Sequence, residues 1–479
     1  VSESIDVLDE TLFQLTMDVV REMDARATEY LARDDHKFVP KRRRRSVTAF
    51  DSGWPSVGSD VGATETDAIA YGKLFASTRD AIHPIAYEDL GTMASLVAYV
   101  HDTPALLQRV GPTLREDAPV DLARSVIDMI IRNLPTDIYD RAKALGFELD
   151  GPDIVNLYQQ RERSWLAPEL SRELVVPLVL TSLELEDTFE VDSHARIEAL
   201  GDDDLRAMAS DYDISGVPGP VADAARFAVV VDMPPLTNPG EGRRFLKAED
   251  PPDTAGVDLI CEALRIVSSA DTGWARVFQR PRGWAARWKD ALPAYSLLQT
   301  TRRYPSVFDD FGWLRSGRTV TRHELERLPA ATRALGSADK RVRLASRRLS
   351  TAVVRDAADD QLVDACIGLE ALLGQKGAEL SFRIAMRAAA LLSSRANTPV
   401  SAEEVFDIAR TVYARRSEIV HGSTSERAAR FPVTGAETTP TSDLAVWLLR
   451  QILQERLLRE DRWSLTDLDS LVLRRLEPS

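Results

Sequence analysis

Apolar positions from Ser4 to about Arg33 (Val7, Leu8, Phe13, Leu15, Val19, Val20, Met23) recur with the period of an amphipathic helix. Residues 66–168 continue in the same mode, with helical spacing in Leu90, Leu96, Val97, Val100 and again in Val126, Ile127, Ile130, Ile131. From about residue 172 the period falls to that of strands. Leu174–Leu180, Phe189–Asp192, Arg196–Leu200 and Arg226–Val231 predict four of them, with a short helix over Asp202–Ala209. A helix over Val257–Ser268 follows, and helices resume near Asp339. The last stripe, Leu444, Trp447, Leu448, Ile452 and Leu453, completes a bundle. The expected class is α+β, mostly α. Its parts are an N-terminal helix and basic linker (1–65), a helical domain (66–170), a mixed strand and helix domain (171–338) with a mobile Pro- and Gly-bearing loop at 234–255, and a helical bundle (339–479).

One helix in that bundle carries an anomaly. Ser401 and Glu404 have the spacing of an N-cap and its reciprocal partner, and Gly422 is the residue type that leaves a helix left-handed. Between them Val405, Ile408, Ala409, Val412 and Ile419 share one face, and Arg416 falls inside that apolar arc. His421 stands at the carboxyl end, where the helix dipole favours imidazolium. Five residues apart, Arg416 and His421 point roughly 140° from each other on an ideal helix. Within one subunit they converge only if the last turn unwinds or the arginine reaches round. Upstream, Glu370 sits on the shoulder of the stripe Leu362, Cys366, Leu369, Leu373. A carboxylate among apolar neighbours normally pairs or protonates. Two compatible accounts fit: Glu370 and Arg416 form a buried ion pair between helices, or Arg416 holds a phosphate beside His421.

The order Asp364–Leu373, then Glu379–Arg383 leading to Arg387–Leu392, then Tyr413–Gly422 resembles the Apea-like branch of the HEPN superfamily over about residues 340–460. The carrier is the Arg-x-x-x-x-His pattern at Arg416 and His421. Many members of that superfamily are metal-independent ribonucleases of antiviral defence or toxin systems, and others bind RNA or nucleotides without cutting. The resemblance implies Arg416 and His421 as catalytic, Glu370, Ser417 and Arg415 as supporting residues, no metal or other cofactor, RNA as partner and a homodimer through the bundle. In many nuclease members Asn, Asp or His follows the arginine, where Ser417 stands here. Arg383 and Arg387, in the middle element, become candidate RNA contacts.

Metal-free RNA cleavage uses the neighbouring 2′-hydroxyl as nucleophile. It needs a base, an acid and positive charge on the phosphorane. One histidine cannot be base and acid in one step, whereas a two-fold dimer supplies two copies of each group. The 2′-hydroxyl also distinguishes RNA from DNA. DNA should bind uncut.

A length of 479 residues allows two to four domains, and no apolar run approaches the length of a membrane span. The acidic start and the lack of a signal pattern lead us to expect a cytoplasmic protein, and the chain is prokaryotic-looking, its arginine-over-lysine usage suiting a GC-rich organism. Cys261 and Cys366 lack metal or redox spacing and fit reduced core positions. A net charge of −15 argues against indiscriminate coating of nucleic acid, so RNA contacts must be local. The run Lys41–Arg45 is expected to be a solvated flexible segment, or an arm on which Arg43 and Arg44 touch RNA. A solvated surface position is the simpler expectation for Arg415. Trp274, Arg276, Phe278 and Arg280, with Arg282 beyond, interleave aromatic and basic residues as single-strand binding surfaces do. An edge strand packing its tryptophans under a loop has the same pattern. His323, Glu324 and Glu326 lack a second histidine at helical spacing, so zinc is rejected. The leading expectation is a metal-independent RNA endonuclease whose front two-thirds sense a phage-derived trigger or partner protein. The alternatives are a non-catalytic binding module and a sensor or structural subunit of a defence complex.

Overall fold

The computed structural model describes residues 6–33, 38–58, 64–80, 82–111, 120–209, 217–241, 251–375, 379–393, 400–422, 430–432, 438–459 and 463–476. Helix predominates over strand, giving a mostly-α member of the α+β class.

At the front, α1 (Glu10–Leu31) is capped by Asp9, whose carboxylate accepts the Leu12 amide at 2.9 Å. It packs with α2 (Gly91–Asp102), α3 (Pro104–Val110), α4 (Val120–Leu145) and α5 (Pro152–Leu166) around one core that includes Leu12, Val20, Met23, Leu134, Tyr158 and Trp165. The core therefore runs straight across the boundary expected at residue 65. The basic run is no free arm either. Lys41–Arg43 pairs with Thr64–Ile69, and Arg42 is 98% buried, donating to Asp140 of α4 at 2.9 Å. A carboxylate 98 residues away neutralises what local sequence presents as a solvated charge.

Six strands form the central sheet: β1 (Glu169–Val179), β2 (Thr188–Glu190), β3 (Ala195–Ala199), β4 (Ala225–Thr237), β5 (Trp274–Pro281) and β6 (Ser296–Arg303). Their order is β6-β5-β1-β4-β3-β2, every neighbour antiparallel. β4 runs through Pro234 and Pro235 to Thr237, where a loop was expected. A register shift between Met233 and Leu236 accommodates the prolines, since at a bulge a missing ladder donor is tolerated. Residues 242–250 of the expected loop lie outside the described residues. One sheet face, with Leu174, Val176, Leu178 and Val229, lies under α6 (Ala255–Val267); the other packs Val175, Val230 and Phe278 against Met208 of the short helix Asp202–Ala209.

The bundle contains α7 (Leu328–Gly336), α8 (Lys340–Val354), α9 (Ala358–Leu373), α10 (Leu380–Leu392), α11 (Ala402–Val420), α12 (Thr441–Leu458) and α13 (Leu465–Leu476). Its core joins Leu349, Leu369, Ile384, Ile408 and Leu448 and extends to Ile266 of α6. α9 and α12 approach closely at Gly368, where an added Cβ would lie 2.5 Å from Leu449 Cδ2. The bundle is bonded to the sheet layer by Arg450 Nε, which donates to the Arg265 carbonyl at 2.8 Å, and Gln454 Nε2, which donates to that of Ile266 at 2.5 Å. Among the described residues no helix is long and apolar enough to cross a membrane.

Candidate functional site

α11 begins where Ser401 Oγ accepts the Glu404 amide at 3.1 Å. Val405, Ile408, Ala409, Val412 and Tyr413 are buried as the apolar spacing requires. Past Tyr413 the helix emerges from the core: Arg416 and Ile419 are half-buried, and Ser417, Val420 and His421 are exposed. The chain leaves through Gly422 at φ +69°, with the His421 amide still donating to the Ser417 carbonyl at 3.0 Å. The last turn is therefore wound. Arg416 and His421 occupy different flanks of one regular helix end.

Arg416 Nη2 lies 3.4 Å from Glu370 Oε1 of α9, so the expected ion pair forms. It is not sealed: the side chains remain 35% and 26% accessible. Glu370 Oε1 and Arg416 Nε have no hydrogen-bond partner among the described residues. The arginine is thus held by a carboxylate on one side, keeps one buried donor without a partner, and opens part of its side chain to solvent. Behind it, burial pushes the Cys366 thiol up to about 12, with Arg416 pulling the other way, so it stays protonated near neutrality. Burial likewise raises Tyr413, whose hydroxyl donates to the Cys366 carbonyl at 3.4 Å.

The other candidates separate into placed and displaced. Arg415 is only 13% accessible and bridges Asp359 (3.1 Å) and Glu418 (3.3 Å), which corrects its expected place as a solvated side chain. Arg387 is 2% accessible and spends its donors on Asp469 (2.7 and 2.8 Å), Gln375 (2.9 Å) and the Leu373 carbonyl (2.6 Å), locking α10 to α13. It is an internal anchor, whereas Arg383, one turn earlier, is exposed. The interleaved strand is corrected too. Register shifts on either side of Arg276 and Val277 break the alternation, so Trp274 joins the α6-side core while Phe278 joins the opposite one. Arg276 pairs with Asp223 at 2.8 Å, and Arg280 binds Glu173 at 2.7 Å and Glu198 at 2.5 Å. β5 is moreover an inner strand, between β6 and β1. Arg282, 63% accessible and 3.3 Å from Asp232, is the exposed member. Of the basic run, Arg43 is exposed and Arg44 is mostly buried, 3.6 Å from Asp203. Glu324 is taken up as a helix cap, accepting the Thr321 amide at 3.0 Å.

No protein family, no curated protein and no solved structure matches this chain.

Proposed function

We propose that the bundle is a HEPN-type, metal-independent RNA endonuclease acting through Arg416 and His421. One observation carries the reading: the Arg-x-x-x-x-His pair stands at an exposed helix end, with the guanidinium fixed by Glu370 yet still 35% accessible. Arg416 stabilises charge on the phosphorane, and His421 exchanges the proton with the 2′-hydroxyl or the leaving oxygen. Because the final turn stays wound, two subunits supply the facing pair, and the working unit is a homodimer. Residues 1–338 act as sensor and restraint for a defence-type effector in the cytoplasm. The direct bonds from Arg450 and Gln454 to the end of α6 give them a mechanical route to the bundle. End-labelled RNA incubated in EDTA should be cut by the wild type, and DNA of the same sequence should not. His421→Ala should bind RNA and leave it intact. If both proteins bind RNA and neither cuts it, the site is a binding module, the reading favoured by the separate flanks within one subunit.

A further inference from the structure

A cleft of about 360 Å³ opens between α6, the ends of β5 and β6, and α8. Two helices face each other across it. α6 contributes Asp258, Cys261, Glu262 and Arg265, and α8 contributes Arg347, Ser350, Thr351 and Val354, each set at i, i+3, i+4 and i+7 along one helix face. Arg302 and Arg303, from the end of β6, close the rim. Four arginines thus meet two carboxylates in a chain whose net charge is −15.

The carboxylates are already engaged. Asp258 accepts the Trp274 indole N–H at 3.2 Å and the Thr254 hydroxyl at 3.3 Å, and Glu262 accepts Ser346 Oγ at 2.7 Å. Arg265 is spent on the Thr272 carbonyl, at 3.1 and 2.7 Å, and on that of Arg303 at 3.3 Å, which fixes the strand end that presents Arg303. Arg302 leans to the far side, toward Asp309 at 3.2 Å. What remains is unspent. The exposed side chains of Arg303 and Arg347 make no hydrogen bond or ion pair among the described residues, Arg347 acting on Glu262 only as a nearby charge, and Ser350 Oγ is buried with no partner. Trp274 and Cys261 close the floor of the cleft but are only 1% and 2% accessible, so Val354 of α8 is the apolar side chain that faces a ligand.

We infer that this cleft binds a small phosphorylated organic molecule, its phosphate gripped by Arg303 and Arg347 and its organic body lying along the α8 face at Thr351 and Val354. Guanidinium forks match the paired oxygens of a phosphate, and the volume falls in the range of small-molecule sites. Arg303 belongs to the sheet and Arg347 to the bundle, so the ligand clamps the two layers together. The site is separate from Arg416 and His421, and its test does not depend on RNA cleavage.

Calorimetric titration of the full chain with AMP, phenyl phosphate, inorganic phosphate and adenosine tests this. AMP or phenyl phosphate should bind, and the two together tell a nucleotide from another aromatic phosphate. Adenosine and inorganic phosphate should each bind at least about tenfold more weakly. Arg303→Glu and Arg347→Glu should each lower the affinity by about tenfold or more, the loss of a charge-assisted bond, while Arg124→Glu on the distant α4 should not. Should a charge reversal fail to fold, Arg303→Gln and Arg347→Gln replace it. Equal affinity for inorganic phosphate, phosphate-ester binding indifferent to both arginines, no binding of either ester, or capture of single-stranded RNA by Arg303 and Arg347 in place of the small phosphates would each overturn the inference.

Discussion

Replacing Arg416 by alanine separates a structural role from a functional one, because the geometry bounds what the pair can be worth. At the observed 3.4 Å, two unit charges attract by about 5 kcal/mol at an effective dielectric constant of about 20. Water reaches both side chains, which are 35% and 26% accessible. The net value must therefore fall between that of exposed pairs, below about 1 kcal/mol, and the 3 to 5 kcal/mol typical of breaking a sealed one. We expect Arg416→Ala to cost about 1–2 kcal/mol, with a similar coupling energy in a double-mutant cycle with Glu370→Gln. Urea denaturation of the four proteins measures both. Such a loss leaves the chain folded, so the activity of the variant can be interpreted. Fluorogenic RNA in EDTA should then report a fall of about 10² to 10³ in turnover, the effect of removing a positioned charge donor. A folded Arg416→Ala that cleaves RNA within about threefold of wild type, far short of that factor, would refute the reasoning about the site. A loss of 3 kcal/mol or more would place the pair in the sealed class and refute the reasoning about its exposure.

His421→Ala should lower cleavage by about 10² to 10⁴, as loss of a general acid or base does. Its unfolding midpoint should barely move, because the side chain is exposed at a helix end; a large destabilisation detected by urea would assign it a structural role. Arg387→Ala should cost about 3 kcal/mol, since it removes a buried guanidinium and strands the Leu373 carbonyl; an unchanged urea midpoint would contradict its role as anchor of α10 to α13. Asp137 lies 3.4 Å from Arg161 and 3.6 Å from Arg287, yet burial pushes its carboxyl up from 3.8 to about 6. Between those two values the folded state holds a proton that the unfolded chain has released, so this group makes stability fall as pH rises through that window. Melting temperatures measured from pH 4 to 7 should fall less, or rise more, with pH in Asp137→Asn than in wild type, and parallel curves would show that the group does not titrate there.

What could be foreseen from sequence was what neighbours in sequence decide. The register of α11 follows from Ser401, the spacing of Val405 to Val412 and Gly422, all within one helix and its ends. Arg416 and Glu370 announced each other because each broke an apolar stripe, and a charge in such a place has few ways to be satisfied. Charges on ordinary surfaces gave no such signal. Arg42 is neutralised by Asp140, and Arg415 by Asp359, 56 residues upstream, so both looked solvated to any local reading. The phase of β5 failed for a different reason. A register shift changes which face a residue takes, and nothing in Trp274–Pro281 marks where the ladder slips.

The two arginine sites differ in how each is assembled. Arg416 was conspicuous because its own helix made it anomalous. Arg303 and Arg347 lie on polar stripes of unremarkable elements and become a site only when α6 and α8 are set face to face. Their signature is then the inverse of the buried anchors. Arg42, Arg276, Arg280 and Arg387 each found a carboxylate, as an acidic chain makes easy, while these two stand within reach of carboxylates already committed elsewhere. In a protein with 75 acidic residues against 60 basic ones, two arginines beside a cavity with no carboxylate in hydrogen-bond contact are the feature on which the phosphate site rests. A phosphate that enters there joins the sheet to the first long helix of the bundle, whose far end leads through α9 to Glu370 and so to Arg416.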